Sequence, residues 1–334
     1  MPRVLKQGQH ADPLVDPAPD RALWPARQRR AFVSAAMDLY RESLQFTGAG
    51  DLRAAVLDDL STFFGLAADE CARRCIEWEQ WSVEEWTAER RDSEEAMTAF
   101  YRATKSWAFD LLWYSYLQAM GYAYPVSVAI AQSVPRARSG ARHLDFGSGI
   151  GATSQLFTRL GYESDLADIS TSLLDFARFR LERRGDRATY LDLNFETIRP
   201  SSYDVITAVD TLVHIPDVPA ACRMLHMALR PNGLLFANFD VRPASAENAP
   251  HLYDDDLPLR YQLQRAGFEP EENLDGMVTR YRRVESAGLA HALRGTRDVA
   301  LYLSPLRPAY RALRHQLADF FARDRRTKAS VRMG

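Results

Sequence analysis

Cysteine is scarce in this chain, and its few cysteines are not spaced for a bridge or a metal. Cys71 and Cys75 lie four residues apart and Cys222 stands alone, an odd set that supports neither a disulfide framework nor a zinc site. On one helical face, free cysteines read as buried apolar surface. No metal is expected. Neither sign of charge is in excess, since 42 Lys and Arg oppose 44 Asp and Glu for a net charge of −2. Without a basic field, nucleic-acid binding by phosphate neutralisation is not expected. No run of about 18 apolar residues occurs, and the start has no signal-peptide layout, so no membrane partner is expected and the expected location is the cytoplasm. What is present is globular material: 334 residues, 46% hydrophobic and 26% charged, enough for one large domain or two modest ones. Small molecules become the expected partners.

The pattern along the chain changes three times. Residues 1–28 hold several prolines and little periodicity and read as a mobile or loosely draped arm. Residues 29–134 switch to helical spacing, with apolar residues three and four apart in "FVSAAMDLYRESL", "LRAAVLDDLSTFFGLA" and "DECARRCIEWEQWSVEEWTAER". This region reads as a helical cap. It ends in the aromatic stretch "AFYRATKSWAFDLLWYSYLQAMGYAYP", most of whose rings are expected in the core.

Over residues 135–288 short apolar strands alternate with helices. "ARHLDF" runs into a glycine turn, "ATSQLFTRLG" is a helix closed by Gly161, and "YESDLAD" is the next strand. "STSLLDFARFRLERRG" is a helix capped by Ser170 or Thr171 and ended by Gly185. Strands "ATYLDL" and "YDVITAVD" follow, then a helix "VPAACRMLHMALRPNG" stopped at Pro-Asn-Gly, and a fifth strand "LLFANF". Such alternation predicts a doubly wound α/β domain with parallel strands and right-handed crossovers. A further helix, "LPLRYQLQRAGF", leads to two strands turned at Asp275-Gly276, a dipeptide suited to a tight hairpin. Residues 289–334 read as a basic, partly helical tail with a solvated face.

The loop "HLDFGSGIGATSQ" carries the chemistry. Gly147, Gly149 and Gly151, followed by Ala152, satisfy both the dinucleotide pattern G-x-G-x-x-G/A and the G-x-G-x-G pattern of proteins that hold S-adenosylmethionine. In either case the glycines allow a tight turn after a strand and the close approach of a ligand. Asp145 separates the two. A carboxylate at the strand end would repel a pyrophosphate but favours a sulfonium and an amino group.

"LDFGSGIGATS", with "LADIS", "YLDLN", "YDVITAVDTLVHIPD" and "LRPNGLLF", resembles the class I S-adenosylmethionine-dependent methyltransferases over about residues 125–285. The ordered series is far more specific than any one of its members. The resemblance implies a Rossmann-like, mostly parallel sheet with an antiparallel terminal strand, in keeping with the hairpin, and S-adenosyl-L-methionine as cofactor. It places Asp145, Gly147, Ser148, Gly149 and Gly151 around the methionine part. Asp168, beside Ile169, would bind the ribose, and its distance of 21 residues from Gly147 suits such a carboxylate. Asp192 and Leu193, with Asn194, would border the adenine, and Asp210 and Thr211 the methionine end. For each carboxylate the alternative is a turn or cap residue.

The chemistry expected is methyl transfer to an oxygen or nitrogen of a small molecule, plausibly in specialised metabolism. A phenol, alcohol or ammonium acceptor must lose a proton, and His214, at the carboxyl end of the fourth strand, is the candidate base, with a packing or hinge role as the alternative. The leading helices resemble lids of small-molecule methyltransferases, so Tyr101 and Trp107 are candidate pocket residues, as against core. Asn238, Asp240 and His251, on the ligand side after the fifth strand, are candidate acceptor contacts. "DDDLP" beyond His251 reads as a polar lid loop. A homodimer is compatible with all of this. Three rival readings stay open: a sulfonium used electrostatically without transfer, a non-catalytic scaffold, and an NAD(P)-dependent oxidoreductase.

Overall fold

The computed structural model describes residues 10–88, 93–241, 252–253 and 255–285. Eight helices precede the first strand among these residues: α1 (Ala26–Phe32), α2 (Ala35–Leu44), α3 (Leu52–Phe64), α4 (Ala68–Ile76), α5 (Trp78–Ala88), α6 (Glu94–Ala103), α7 (Ser106–Met120) and α8 (Val126–Ala131). Their starts are set by short polar side chains. Ser34 caps α2, and the Asp51 carboxylate accepts the Ala54 N–H at the head of α3. Gly65 and Gly121 end α3 and α7 in the left-handed conformation, where glycine has no Cβ to strain. Helix α7 is apolar nearly all round and forms the axis of the cap, burying Phe109, Leu112, Trp113 and Tyr116.

The leading segment is less loose than its composition suggests. The Trp113 indole donates to the Ala11 carbonyl at 2.9 Å, the Tyr122 hydroxyl to the Asp16 carbonyl at 2.7 Å, and the His10 N–H to the Ile76 carbonyl at 3.0 Å. Residues 10–16 are therefore pinned along α4 and α7. The expected basic tail lies outside the described residues.

Beyond the cap come β1 (Arg142–Phe146), α9 (Ala152–Arg159), β2 (Glu163–Asp168), α10 (Thr171–Arg183), β3 (Thr189–Asp192), β4 (Tyr203–Ala208), α11 (Val218–Ala228), β5 (Leu229–Ala237), α12 (Leu257–Arg265), β6 (Phe268–Leu274) and β7 (Val278–Arg283). The strands form one sheet in the order β3-β2-β1-β4-β5-β7-β6, parallel except for β7, which runs antiparallel to both β5 and β6. Asp275 and Gly276 turn the β6–β7 hairpin with φ of 53° and 78°, the signs that a tight hairpin requires. One boundary moves from the sequence expectation. Helix α11 stops at Ala228, and "LRPNG" is an irregular start of β5, because Leu229 already pairs with Tyr203 ahead of a register shift.

Cap and sheet share a core. Phe63 and Phe64 of the cap, the latter stacked on Phe109, pack on Phe176 and Phe179 of α10, and one continuous apolar cluster joins the cap to Ile150, Ala152 and Leu156. A buried ionic seam runs beside it. Asp59 of α3 faces Arg180, Arg183 and Arg184 of α10 at 3.3, 2.8 and 2.8 Å, and Arg180 donates onward to the carbonyl of Ile150 at 2.8 Å.

Candidate active site

The glycine loop leaves the carboxyl end of β1 and is tied to the neighbouring strand. The N–H groups of Gly147 and Ser148 donate to the Ala167 carbonyl, and that of Gly149 donates to Asp168 Oδ2 at 2.8 Å. All three glycines have positive φ, but they are glycines for different reasons. A Cβ on Gly147 would lie 2.3 Å from the Thr211 side chain, and one on Gly151 would lie 2.6 Å from Leu166. Both therefore answer to packing within the protein. On Gly149 a Cβ would meet only the tip of Leu111 of α7, at 2.8 Å, so this glycine faces the cap. Beside it the Ser148 hydroxyl is buried with no hydrogen-bond partner among the described residues. A buried, unpartnered hydroxyl next to a left-handed turn fits a polar ligand laid across the loop.

Asp145 is buried, and both of its oxygens are engaged. Oδ1 accepts the Thr207 hydroxyl at 2.7 Å, and Oδ2 accepts the N–H and hydroxyl of Ser154 at 3.2 and 3.0 Å. Because Thr207 donates there, it accepts from Nε2 of His143, whose Nδ1 then accepts from Ser164. Burial pushes the His143 imidazole down to about 3, so it stays neutral. The same burial, opposed by the hydrogen bonds from Thr207 and Ser154, raises the Asp145 carboxyl to about 6. Asp145 thus braces β1, β4 and the start of α9.

Asp168 ends β2 and gathers two amide donors, Gly149 and Ser170, at 2.8 Å each. Burial raises its carboxyl, with these bonds opposing, and its oxygens keep spare lone pairs. Asp192, in register with it at the end of β3, accepts the Thr171 hydroxyl at 2.7 Å and the Asn194 N–H at 3.0 Å. Burial pushes the Asp192 carboxyl up, but these bonds outweigh it and hold the group below its ordinary value. The Leu193 N–H donates to the Asp168 carbonyl and the Asn194 amide to that of Ile169, which joins the two strand ends. Ile169 and Phe195 stand exposed there as apolar surface.

Residues 122–279, just under half of the chain, match the family model described as a methyltransferase domain. The match falls on a sheet whose last strand is antiparallel and whose glycine loop leaves the first strand. Over residues 122–279 the chain carries a methyltransferase domain. Among curated proteins the chain is similar to the ubiquinone biosynthesis O-methyltransferase of Xanthomonas euvesicatoria pv. vesicatoria, 34% identical over 29% of this chain and 42% of that protein. The enzyme of the same name from Idiomarina loihiensis is 29% identical over 34% of this chain and 47% of its own. The chain thus spans less than half the length of these relatives. Among solved structures, phosphoethanolamine N-methyltransferase 2 of Haemonchus contortus with bound S-adenosyl-L-methionine is 21% identical, covering 60% of this chain and 49% of that one with a TM-score of 0.40.

On the cap side of the methyltransferase domain, Tyr101 and Trp107 pack together at 5.5 Å between ring centroids, and the Trp107 indole donates to Ser82. Both are half-buried. The Ser172 hydroxyl donates to the Thr104 carbonyl at 2.6 Å, and Arg102 lies over the ring of Phe195, so this segment rests on the β2 and β3 ends. Tyr114, on α7, is also half-buried. Its hydroxyl is pushed up to about 12 by burial and then by the negative charge of Asp210.

Asp210 follows β4 with φ of 52°, an uncommon conformation for a side chain larger than glycine. Its N–H donates to Asn238 Oδ1 at 2.6 Å and its carboxylate accepts the Asn238 amide in return. Asn238, expected to meet the acceptor, is thus committed to Asp210. Half-buried Asp240 follows it, and His214 ends a short 3-10 turn over Leu212–His214, half-buried, with its N–H on the Thr211 carbonyl. His251 lies outside the described residues. Asp255 and Asp256 are buried at the head of α12, where Asp255 accepts the Leu257 N–H and Asp256 pairs with Arg260. They immediately precede the helix expected from Leu257, and Asp254 of the expected polar lid loop lies outside the described residues. No cluster of three or more His, Cys, Asp or Glu suited to a metal occurs among the described residues. None of the described helices is long and apolar enough to cross a membrane.

Sequence reasoning passed over His10 and Asp110, whose side chains meet at 2.7 Å across 100 positions of chain. The available signal was a lone charge in the apolar helix "WAFDLLWY".

Proposed function

We propose that this protein binds S-adenosyl-L-methionine on the glycine loop and transfers its methyl group to an oxygen of a small molecule, with nitrogen as the second acceptor atom. Such an acceptor fits specialised metabolism. The observation that carries the reading is the junction of loop and strand ends: the Gly149 turn, the unpartnered Ser148 hydroxyl and the Asp168 carboxylate lie together at the carboxyl edge of the sheet. Oxygen is placed first because the curated relatives carry O-methyltransferase in their names.

S-adenosyl-L-methionine supplies a methyl group on a positively charged sulfur, open to in-line attack. The chain's own residues do the holding. Asp168 would take the ribose hydroxyls on its spare lone pairs, and Ile169 and Leu193, beside Asp192, would flank the adenine. Ser148 and the backbone at Asp210 would face the methionine end, within the field of Asp145. Helix α7, against Gly149, closes the cleft and excludes water from the reacting atoms.

Calorimetry with S-adenosyl-L-homocysteine, and transfer of labelled methyl from the cofactor to a metabolite extract, test the reading. We expect binding, label in a small organic product, and a melting temperature raised by S-adenosyl-L-homocysteine but not by NAD. Absence of cofactor binding overturns the reading, and tight binding without transfer to any acceptor counts against methylation.

A further inference from the structure

Helix α7 is buried along its length except for one stripe. From Trp107 to Ala119 its half-exposed residues are Trp107, Asp110, Leu111 and Tyr114, spaced i, i+3, i+4 and i+7 on one face, and the others are buried. The stripe faces the cofactor edge, since Leu111 lies against Gly149 and Tyr114 feels the charge of Asp210. His10 is set onto it. Its Nε2 lies 2.7 Å from Asp110 Oδ1, and its ring stacks with Trp78 at 5.6 Å and with Tyr114 at 6.0 Å, with planes inclined by 28° and 26°. The backbone N–H of His10 is anchored on the Ile76 carbonyl.

A carboxylate acceptor selects the tautomer. With Nε2–H donated to Asp110, Nδ1 carries the lone pair, and the two aromatic walls fix the plane of the ring. An imidazole oriented by a carboxylate beside two aromatic rings is an arrangement for taking a proton.

We propose that His10, oriented by Asp110, is the proton acceptor for a phenolic hydroxyl bound along the α7 stripe; this rests on the methyltransferase reading above. His10 Nδ1 takes the phenolic proton, the oxygen forms a bond to the methyl carbon, and the carbon–sulfur bond breaks with its electron pair left on sulfur. Asp110 stabilises the resulting imidazolium. A phenol suits the place in two ways. Its flat ring matches Trp107 and Tyr114, and the phenolate is attracted by the neighbouring sulfonium, which repels an ammonium.

The test uses the full chain, labelled S-adenosyl-L-methionine and three probes: catechol, a nitro-substituted catechol and benzylamine. At about pH 8 catechol keeps its proton, as an ordinary phenol of pKa about 10 does, while the nitro compound is already ionised. We expect methylation of catechol and not of benzylamine. His10→Ala and the better-tolerated His10→Gln should lower kcat on catechol by about a hundredfold or more. On the nitrocatechol they should lower it less than about threefold, the proton already being gone. Asp110→Asn should show the same contrast at smaller size, and S-adenosyl-L-homocysteine affinity should stay within twofold for all three variants. Equal losses on both catechols, or no loss on either, overturn the assignment. Transfer to benzylamine in place of the catechols, or cofactor binding with transfer to none of the probes, also overturns it while leaving the cofactor reading in place. Failure of the wild-type chain to bind S-adenosyl-L-homocysteine removes that reading itself.

Discussion

Replacing Asp59 with alanine strips the carboxylate from a group of three arginines. Asp59 and Arg180 are fully buried and the Arg184 side chain is 1% exposed, whereas Arg183 reaches solvent and has Asp58 as a second partner. The substitution therefore leaves two guanidinium groups buried without their shared counter-charge. Breaking a buried ion pair on one side costs about 3–5 kcal/mol, a large part of the roughly 5–15 kcal/mol that holds a domain folded. The site has little to fall back on. Burial, and then the charge of Arg184, already pull the Arg180 guanidinium down to about 10, and Arg184 Nε is buried with no partner among the described residues. Urea unfolding followed by circular dichroism should show the loss as a lower midpoint with an unchanged slope. Asp59→Leu combined with Arg180→Met, which removes one charge of each sign and keeps the volume, should recover part of it. Arg180 also holds the Ile150 carbonyl, so Asp59→Ala should weaken S-adenosyl-L-homocysteine binding in calorimetry. A destabilisation below about 1 kcal/mol, in the range of an exposed pair, refutes the reasoning.

Asp168→Ala should weaken S-adenosyl-L-homocysteine binding by roughly 1.5–3 kcal/mol, the worth of a charge-assisted hydrogen bond, and unchanged affinity in calorimetry rejects the ribose assignment. Gly147→Ala should destabilise the fold more than Gly149→Ala, because its Cβ meets Thr211 at 2.3 Å while that of Gly149 meets a leucine tip; Leu111→Ala should relieve only the second, as read by melting temperature. The Asp145 carboxyl, raised to about 6 from 3.8, favours the folded state when protonated, so its contribution is full below about pH 4 and is lost as pH rises through 6. Asp145→Asn should accordingly gain about 3 kcal/mol relative to wild type between pH 4 and 7 in urea titrations, and a pH-independent difference contradicts the burial argument. His214→Ala should cost less than the roughly hundredfold expected of a catalytic base, with no dependence on acceptor acidity.

The legible parts of this fold are those whose cause is local. Strand, glycine turn and helix follow one another within "HLDFGSGIGATSQ", and the turn at Asp275-Gly276 requires two positive φ angles that these residues tolerate. The position of Asp168 was legible because a β-α-β unit has a nearly fixed length. Less could be read where the cause is distant. The sequence cannot show that Gly147 answers to Thr211, 64 positions on, or that Asp145 spends both oxygens on Ser154 and Thr207. Nor can it show that Asn238 is taken by Asp210. His10 was invisible for the same reason, lying in a proline-rich stretch whose docking depends on Trp113, Tyr122 and Ile76. The α11–β5 boundary was misplaced because Pro231 and Gly233 read as a turn, while the pairing of Leu229 with Tyr203 extends the strand through them.

The unbroken core between the cap and α9 and α10 bears on how such a protein could be rebuilt. A cap that met the sheet through a polar, separable joint could be exchanged between relatives to change the acceptor. Here a transplanted cap would bare Phe176 and Ile150 and strand Arg180 without Asp59. Any chimera that keeps its fold must carry the facing residues of α9 and α10 along with the helices, so the unit of exchange is the cap together with the two helices it is packed on.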